Sequence, residues 1–126
     1  MNKLFTILAL AGLISFSGCK KTEAKKTTVE IVVRDAFSVK SNFTVYQIDD
    51  TKYNLYGTDP VFKDAQSVTD GNGLATFLID DLDFVTGGQR TFYFFVKYTL
   101  AGVNKTKSLG VTLSEGDKKA GTLLLD

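Results

Sequence analysis

The chain has 126 residues, fifteen Lys or Arg against fourteen Asp or Glu, one cysteine and no histidine. Residues 27–126 carry ten Lys or Arg against thirteen Asp or Glu, and nothing there suggests the clustered basic face that nucleic-acid binding calls for. The lone cysteine excludes an internal disulfide, and the missing histidine excludes Ser-His and Cys-His nucleophiles and His-ligated zinc.

The first segment carries Lys3 and then an almost wholly apolar run, Leu4 to Phe16, broken only by Thr6, Gly12 and Ser15. Spanning a bilayer takes about 20 apolar residues, so this run is short for a span and suits a secretory signal. Ser17 and Gly18 follow, then Cys19. The stretch L-I-S-F-S-G-C resembles the bacterial lipoprotein signal, in which small residues end in a cysteine that receives a diacylglycerol and becomes the first residue after cleavage. Phe16 stands where that family usually has Leu. The resemblance implies residues 1–18 as signal peptide and Cys19 as the lipidation site and membrane anchor. An ordinary signal peptide or an uncleaved anchor helix are the alternatives. Each buried CH₂ of an acyl chain contributes about 0.8 kcal/mol, so two or more chains hold stably where one does not.

Residues 19–26 read as the lipidated cysteine and a flexible basic tether, because K-K-T-E-A-K-K has no large apolar side chain to build a core. Its lysines also suit anionic lipid headgroups. By resemblance to Gram-negative lipoproteins, Lys20 is not the aspartate of an inner-membrane retention signal, and a basic run is not the acidic surface-export signal of Bacteroidetes lipoproteins. The expected location is the cell envelope, on the outer membrane facing the periplasm.

Residues 27–126 read as one β-sandwich domain, large enough to bury a core unaided. Thr28 to Arg34 alternates, with Val29, Ile31 and Val33 on one face, the signal of a half-buried strand. Asn42 to Ile48 is a second strand and Tyr53 to Tyr56 a short third. Val68 to Ile79 holds a D-G-N-G turn signal, then Ala75, Phe77 and Ile79 on one side. Arg90 to Thr99 is the strongest strand; Ser108 to Leu113 and Thr122 to Leu125 follow. No window has a helical apolar stripe with caps. About seven short strands in about 100 residues predict an all-β, single antiparallel two-sheet sandwich.

The layout V-E-I-V-V-R-D, V-Y-Q-I, T-D-G-N-G-L-A-T-F and T-F-Y-F-F-V resembles the transthyretin-like, carboxypeptidase-regulatory type of sandwich, especially in small accessory lipoproteins of Bacteroidetes. The resemblance implies that T-D-G-N-G-L-A-T-F forms a core hairpin. The transthyretin-like hydrolases work through histidines, which this chain lacks, so their activity is not implied. Within residues 27–126 there is no S-x-x-K, P-loop or dinucleotide-binding motif.

Asp80, Asp81 and Asp83 can be read as a glycosidase carboxylate pair, as calcium ligands, or as a solvated turn, and the last is the expectation. Asp70 and Asn72 likewise read as turn residues, since Leu74 stands where an EF-hand needs its third ligand. Phe92, Phe94, Val96 and Tyr98 are assigned to the core. Tyr93 and Phe95 then point outward and, with Tyr53, Tyr56 and Phe62 of the Asp49–Gln66 segment, form the candidate binding surface. The competing reading is that this segment covers those rings. Together these features predict a non-enzymatic, envelope-anchored binding or scaffolding module with no cofactor, metal or nucleic-acid partner, holding the membrane through Cys19 and an envelope protein or glycan through its surface. The alternative is a carbohydrate-binding lipoprotein using the loop and strand aromatics.

Overall fold

In the computed structural model, residues 26–80, 84 and 88–126 are described. Cys19, the signal and tether readings before Lys26, and the turn aspartates Asp81 and Asp83 lie outside them. The described residues form two packed sheets. One has three strands in the order β4 (Leu74–Ile79), β1 (Thr27–Arg34), β7 (Lys118–Leu124). The other has four, in the order β3 (Ala65–Val68), β2 (Thr44–Asp49), β5 (Gln89–Leu100), β6 (Val103–Ser114). This is an all-β sandwich of seven strands among the described residues.

The alternation read from β1 and β4 decides their inner faces. Val29, Ile31 and Val33 are fully buried, as are Ala75, Phe77 and Ile79 opposite them. They meet Phe92, Phe94 and Val96 of the other sheet, with Phe77 and Phe94 tilted at 5.0 Å between ring centres. Removing each large side chain from water contributes about 1.5–3 kcal/mol, and this interior is what holds the sheets together.

Four expectations are corrected. Tyr53–Tyr56 is not a strand but lies in a short helix, α1 (Asp50–Tyr56). Asp49 caps it by accepting the Lys52 amide at 2.8 Å, and Gly57 ends it at φ +69°. The T-D-G-N-G-L-A-T-F segment is not a hairpin: β3 pairs with β2 and β4 with β1, so the turn carries the chain from one sheet to the other. The sandwich is not wholly antiparallel, because β1 and β7 pair in parallel, Thr28 opposite Lys118 through Arg34 opposite Leu124. Phe95 does not face solvent; it is fully buried, like Phe94 and Val96 on either side.

The sheet-crossing turn shows why its residues are what they are. Asp70 Oδ1 accepts from the Asn72 and Leu74 amides, which closes the loop. Gly73 sits at φ +76°, and a Cβ there would lie 2.7 Å from Val39 Cβ and 2.9 Å from the Val33 oxygen. Both conformation and space therefore demand glycine.

The strands set two poles. Thr27 lies at one, where its hydroxyl accepts the Gly116 amide at 2.7 Å, next to the β6–β7 turn. The β1–β2 loop, the β5–β6 hairpin tip and Asp126 lie at the other. An eight-residue strand at about 3.3 Å per residue separates them by roughly 25 Å.

Candidate functional site

The rings expected to form a binding surface are brought together, but mostly against one another. Tyr53 of α1 stacks on Tyr93 of β5, with ring centres 3.8 Å apart and planes within 9°. Tyr56 stacks on Phe62 at 3.7 Å, and Phe62 closes a 3₁₀ turn, Pro60–Phe62, capped by Asp59. Phe95 lies beneath, 5.2 Å from the Tyr46 ring. Gly110 stands opposite Tyr93, and a Cβ there would come within 2.9 Å of the Tyr93 ring; the missing side chain is what lets that ring lie flat across β6. The anchoring is also polar. Asp64 accepts the Asp49 amide at 2.7 Å and pairs with Lys52, while Arg90 lies 3.8 Å from Asp49 and over the Phe92 ring. The Asp49–Gln66 segment thus covers the outer face of the β2–β5 sheet.

An open cleft of about 740 Å³ lies at the far pole, a site that no short sequence motif marks. It arises from a splay in the sheet. The β2–β5 ladder stops at Tyr46 opposite Phe95. Continued, the same register would set Thr44 against Lys97, Phe43 against Tyr98 and Asn42 against Thr99. These residues instead line opposite walls of the cleft.

Buried Thr69 is the cause of the splay. Its backbone N–H donates to the Phe43 oxygen at 2.8 Å and its own oxygen accepts the Asn42 amide at 2.9 Å. Its hydroxyl accepts the Phe43 amide at 2.9 Å and donates to the Lys40 oxygen at 2.6 Å. Four hydrogen bonds to one residue draw Lys40–Phe43 to the β3 side, and Asn42 turns the chain there at φ +60°. Beyond Phe95, the edge of β5 that faces β2 has no strand partner among the described residues.

The cleft mixes aromatic and charged groups. Phe43, Tyr46 and Tyr98 are half-buried, and Phe37 stands at the rim, 93% exposed. Lys40 pairs with Asp35 at 2.9 Å and Lys107 with Asp126 at 3.1 Å. The Lys40 ammonium, with the Phe37 and Ser38 amides, holds the Asp35 carboxyl well below the usual carboxylate range. Lys107 holds Asp126 low as well, against the opposing effect of desolvation. Tyr98 donates its hydroxyl to the Asp126 backbone oxygen at 3.2 Å.

Among the described residues no cluster of three or more acidic, His or Cys groups could hold a metal ion, and no helix is long and apolar enough to cross a membrane. No family model matches the chain, and no curated protein matches it significantly.

Proposed function

We propose that the protein is a lipid-anchored, non-enzymatic binding module of the cell envelope, tethered through Cys19 to the outer membrane on its periplasmic side and built on a transthyretin-like sandwich. The observation that carries this reading is the order of parts. The L-I-S-F-S-G-C run and basic tether lead into β1 at Thr27, and the cleft opens at the opposite pole of the sandwich. A chain held at Cys19 through a tether entering at Thr27 leaves the cleft, at the opposite pole, free to meet other envelope components. The β1–β2 loop on one side and the edge of β5 on the other supply its walls, a loop held on a rigid scaffold being a usual arrangement for recognition. The aromatic cover is structural in this reading, because its rings already occupy one another.

The test is Cys19→Ser with fatty-acid labelling and membrane fractionation. Loss of label, loss of cleavage before residue 19 and release from the outer-membrane fraction are expected. A Cys19→Ser chain that stays membrane-bound with unchanged processing overturns the anchor.

A second reading, carbohydrate binding, draws support from the same cleft. Exposed Phe37 and half-buried Tyr98 offer ring faces beside charges that are largely paired, which suits an uncharged polyol. A glycan array read against Phe37→Ala and Tyr98→Ala variants separates the two.

A further inference from the structure

The unpaired β5 edge specifies an occupant. We propose that the cleft is a strand-addition site: an extended acidic segment of a partner protein runs antiparallel to β5 along Lys97–Leu100, continuing the sheet where β2 turns away. The inference rests on the binding-module reading and names its partner chemistry.

Two observations carry it. First, the Lys97–Leu100 stretch of β5 presents one backbone edge to the cleft with no strand beside it: alternate residues bond β6, and the N–H and C=O groups of the others point to the cleft edge. A row of backbone donors and acceptors at strand spacing is matched by another extended backbone, the basis of recognition by strand addition. The site is built rather than frayed, because the Thr69 hydrogen bonds hold the opposite wall open. Second, the charge is uneven. Lys40 and Lys107 have their aspartates, but Lys97 and Lys105 have no carboxylate within ion-pair distance among the described residues. The Lys97 ammonium donates to the Thr106 hydroxyl at 3.2 Å, and Lys105 acts on Asp126 through space. An added strand with carboxylates on alternate residues meets this surplus, and side chains on its other face meet Phe43 and Leu125.

The test uses the full lipidated chain in detergent micelles and four probes. These are a synthetic peptide alternating valine and glutamate, the same peptide with alternate backbone nitrogens methylated, a valine–lysine counterpart, and a neutral oligosaccharide. The valine–glutamate peptide is expected to slow hydrogen exchange at Lys97–Leu100 at millimolar concentration, an effect that weakens with salt. The methylated peptide keeps the charge and loses the protection. Lys97→Glu lowers affinity for the acidic peptide at least about tenfold, with an unchanged melting temperature, and favours the valine–lysine peptide. Equal binding of the methylated peptide, or no protection at Lys97–Leu100, overturns strand addition. If the oligosaccharide alone protects the cleft, strand addition fails and the binding-module reading stands. Protection that needs no probe and grows with protein concentration makes a second copy the occupant and likewise overturns the proposal. Failure of the anchor itself is read separately, from the Cys19→Ser fractionation.

Discussion

Phe94, Phe95 and Val96 are three consecutive residues of one strand, and all are buried. In a strand with one wet face, burial alternates; here sheet β4–β1–β7 covers the inner side and Tyr46 with the α1 segment covers the outer. Phe94→Ala and Phe95→Ala are each expected to cost about 3–5 kcal/mol in chemical denaturation, with Tyr93→Ala, half-buried, costing clearly less. A Phe95 loss no larger than that of Tyr93 would mean that the outer cover is loose. Gln47 is a second residue-scale case. It is 3% exposed, pairs across from Phe94, and its Oε1 has no hydrogen-bond partner among the described residues. An unmatched buried acceptor costs about 1–3 kcal/mol, so Gln47→Met, which conserves length, is expected to leave the melting temperature unchanged or raise it. A drop of several degrees would show that the amide is satisfied in solution. Asp35 sets the pH response of the cleft rim. Its carboxyl titrates below the unfolded value near about 3.9, so its stabilising contribution is complete above that pH and is lost as pH falls through the lower folded value. Asp35→Asn is therefore expected to flatten the acid limb of a stability profile while leaving the neutral region with only a small loss. An acid limb unchanged by the substitution would contradict the pairing.

The α1 segment is the element whose role decides between cover and binding surface. Replacing Tyr53 and Tyr56 together by serine removes both stacked pairs, each worth about 0.5–1.5 kcal/mol beyond its buried area. The melting temperature is expected to fall markedly with partner capture unaltered; the reverse pattern would return the binding role to these rings. The sequence made β1 and β4 legible because each repeats every two residues with β-branched or aromatic side chains, and β5 legible as a strand by its aromatic run, though not by its face. The helix was not legible by periodicity, since seven residues make only two turns; its one local signal was Asp49 before it and Gly57 after it. The D-G-N-G residues marked a reversal correctly, yet turn chemistry fixes only the local backbone. Whether the flanking strands pair with each other or join different sheets depends on partners far away in sequence, as does the parallel β1–β7 pairing. The cleft was illegible for a related reason: it is made by strands failing to continue a ladder, and Thr69, which causes this, looks like any turn-flanking threonine.

At the scale of the whole molecule, the aromatic cover and the cleft are separate regions of one sheet. The cover lies over the half of β5 nearer Thr27, and the cleft opens beyond Phe95 at the far pole. Closing the splay is expected to alter the second without the first. Thr69→Val removes the two hydroxyl bonds to Lys40 and Phe43, and is expected to cost about 1–3 kcal/mol and to change exchange rates around Lys40–Phe43 and Lys97–Leu100 while α1 amides keep theirs. The most direct measurement of where the molecule binds is site-specific photocrosslinking in intact cells, with the reactive side chain placed either at Thr99 on the cleft wall or at exposed Leu55 on α1. Discrete adducts with an envelope polypeptide from position 99, absent from position 55 and lost on Lys97→Glu, are the expected result. Adducts from position 55 alone would contradict it and place recognition on the aromatic cover.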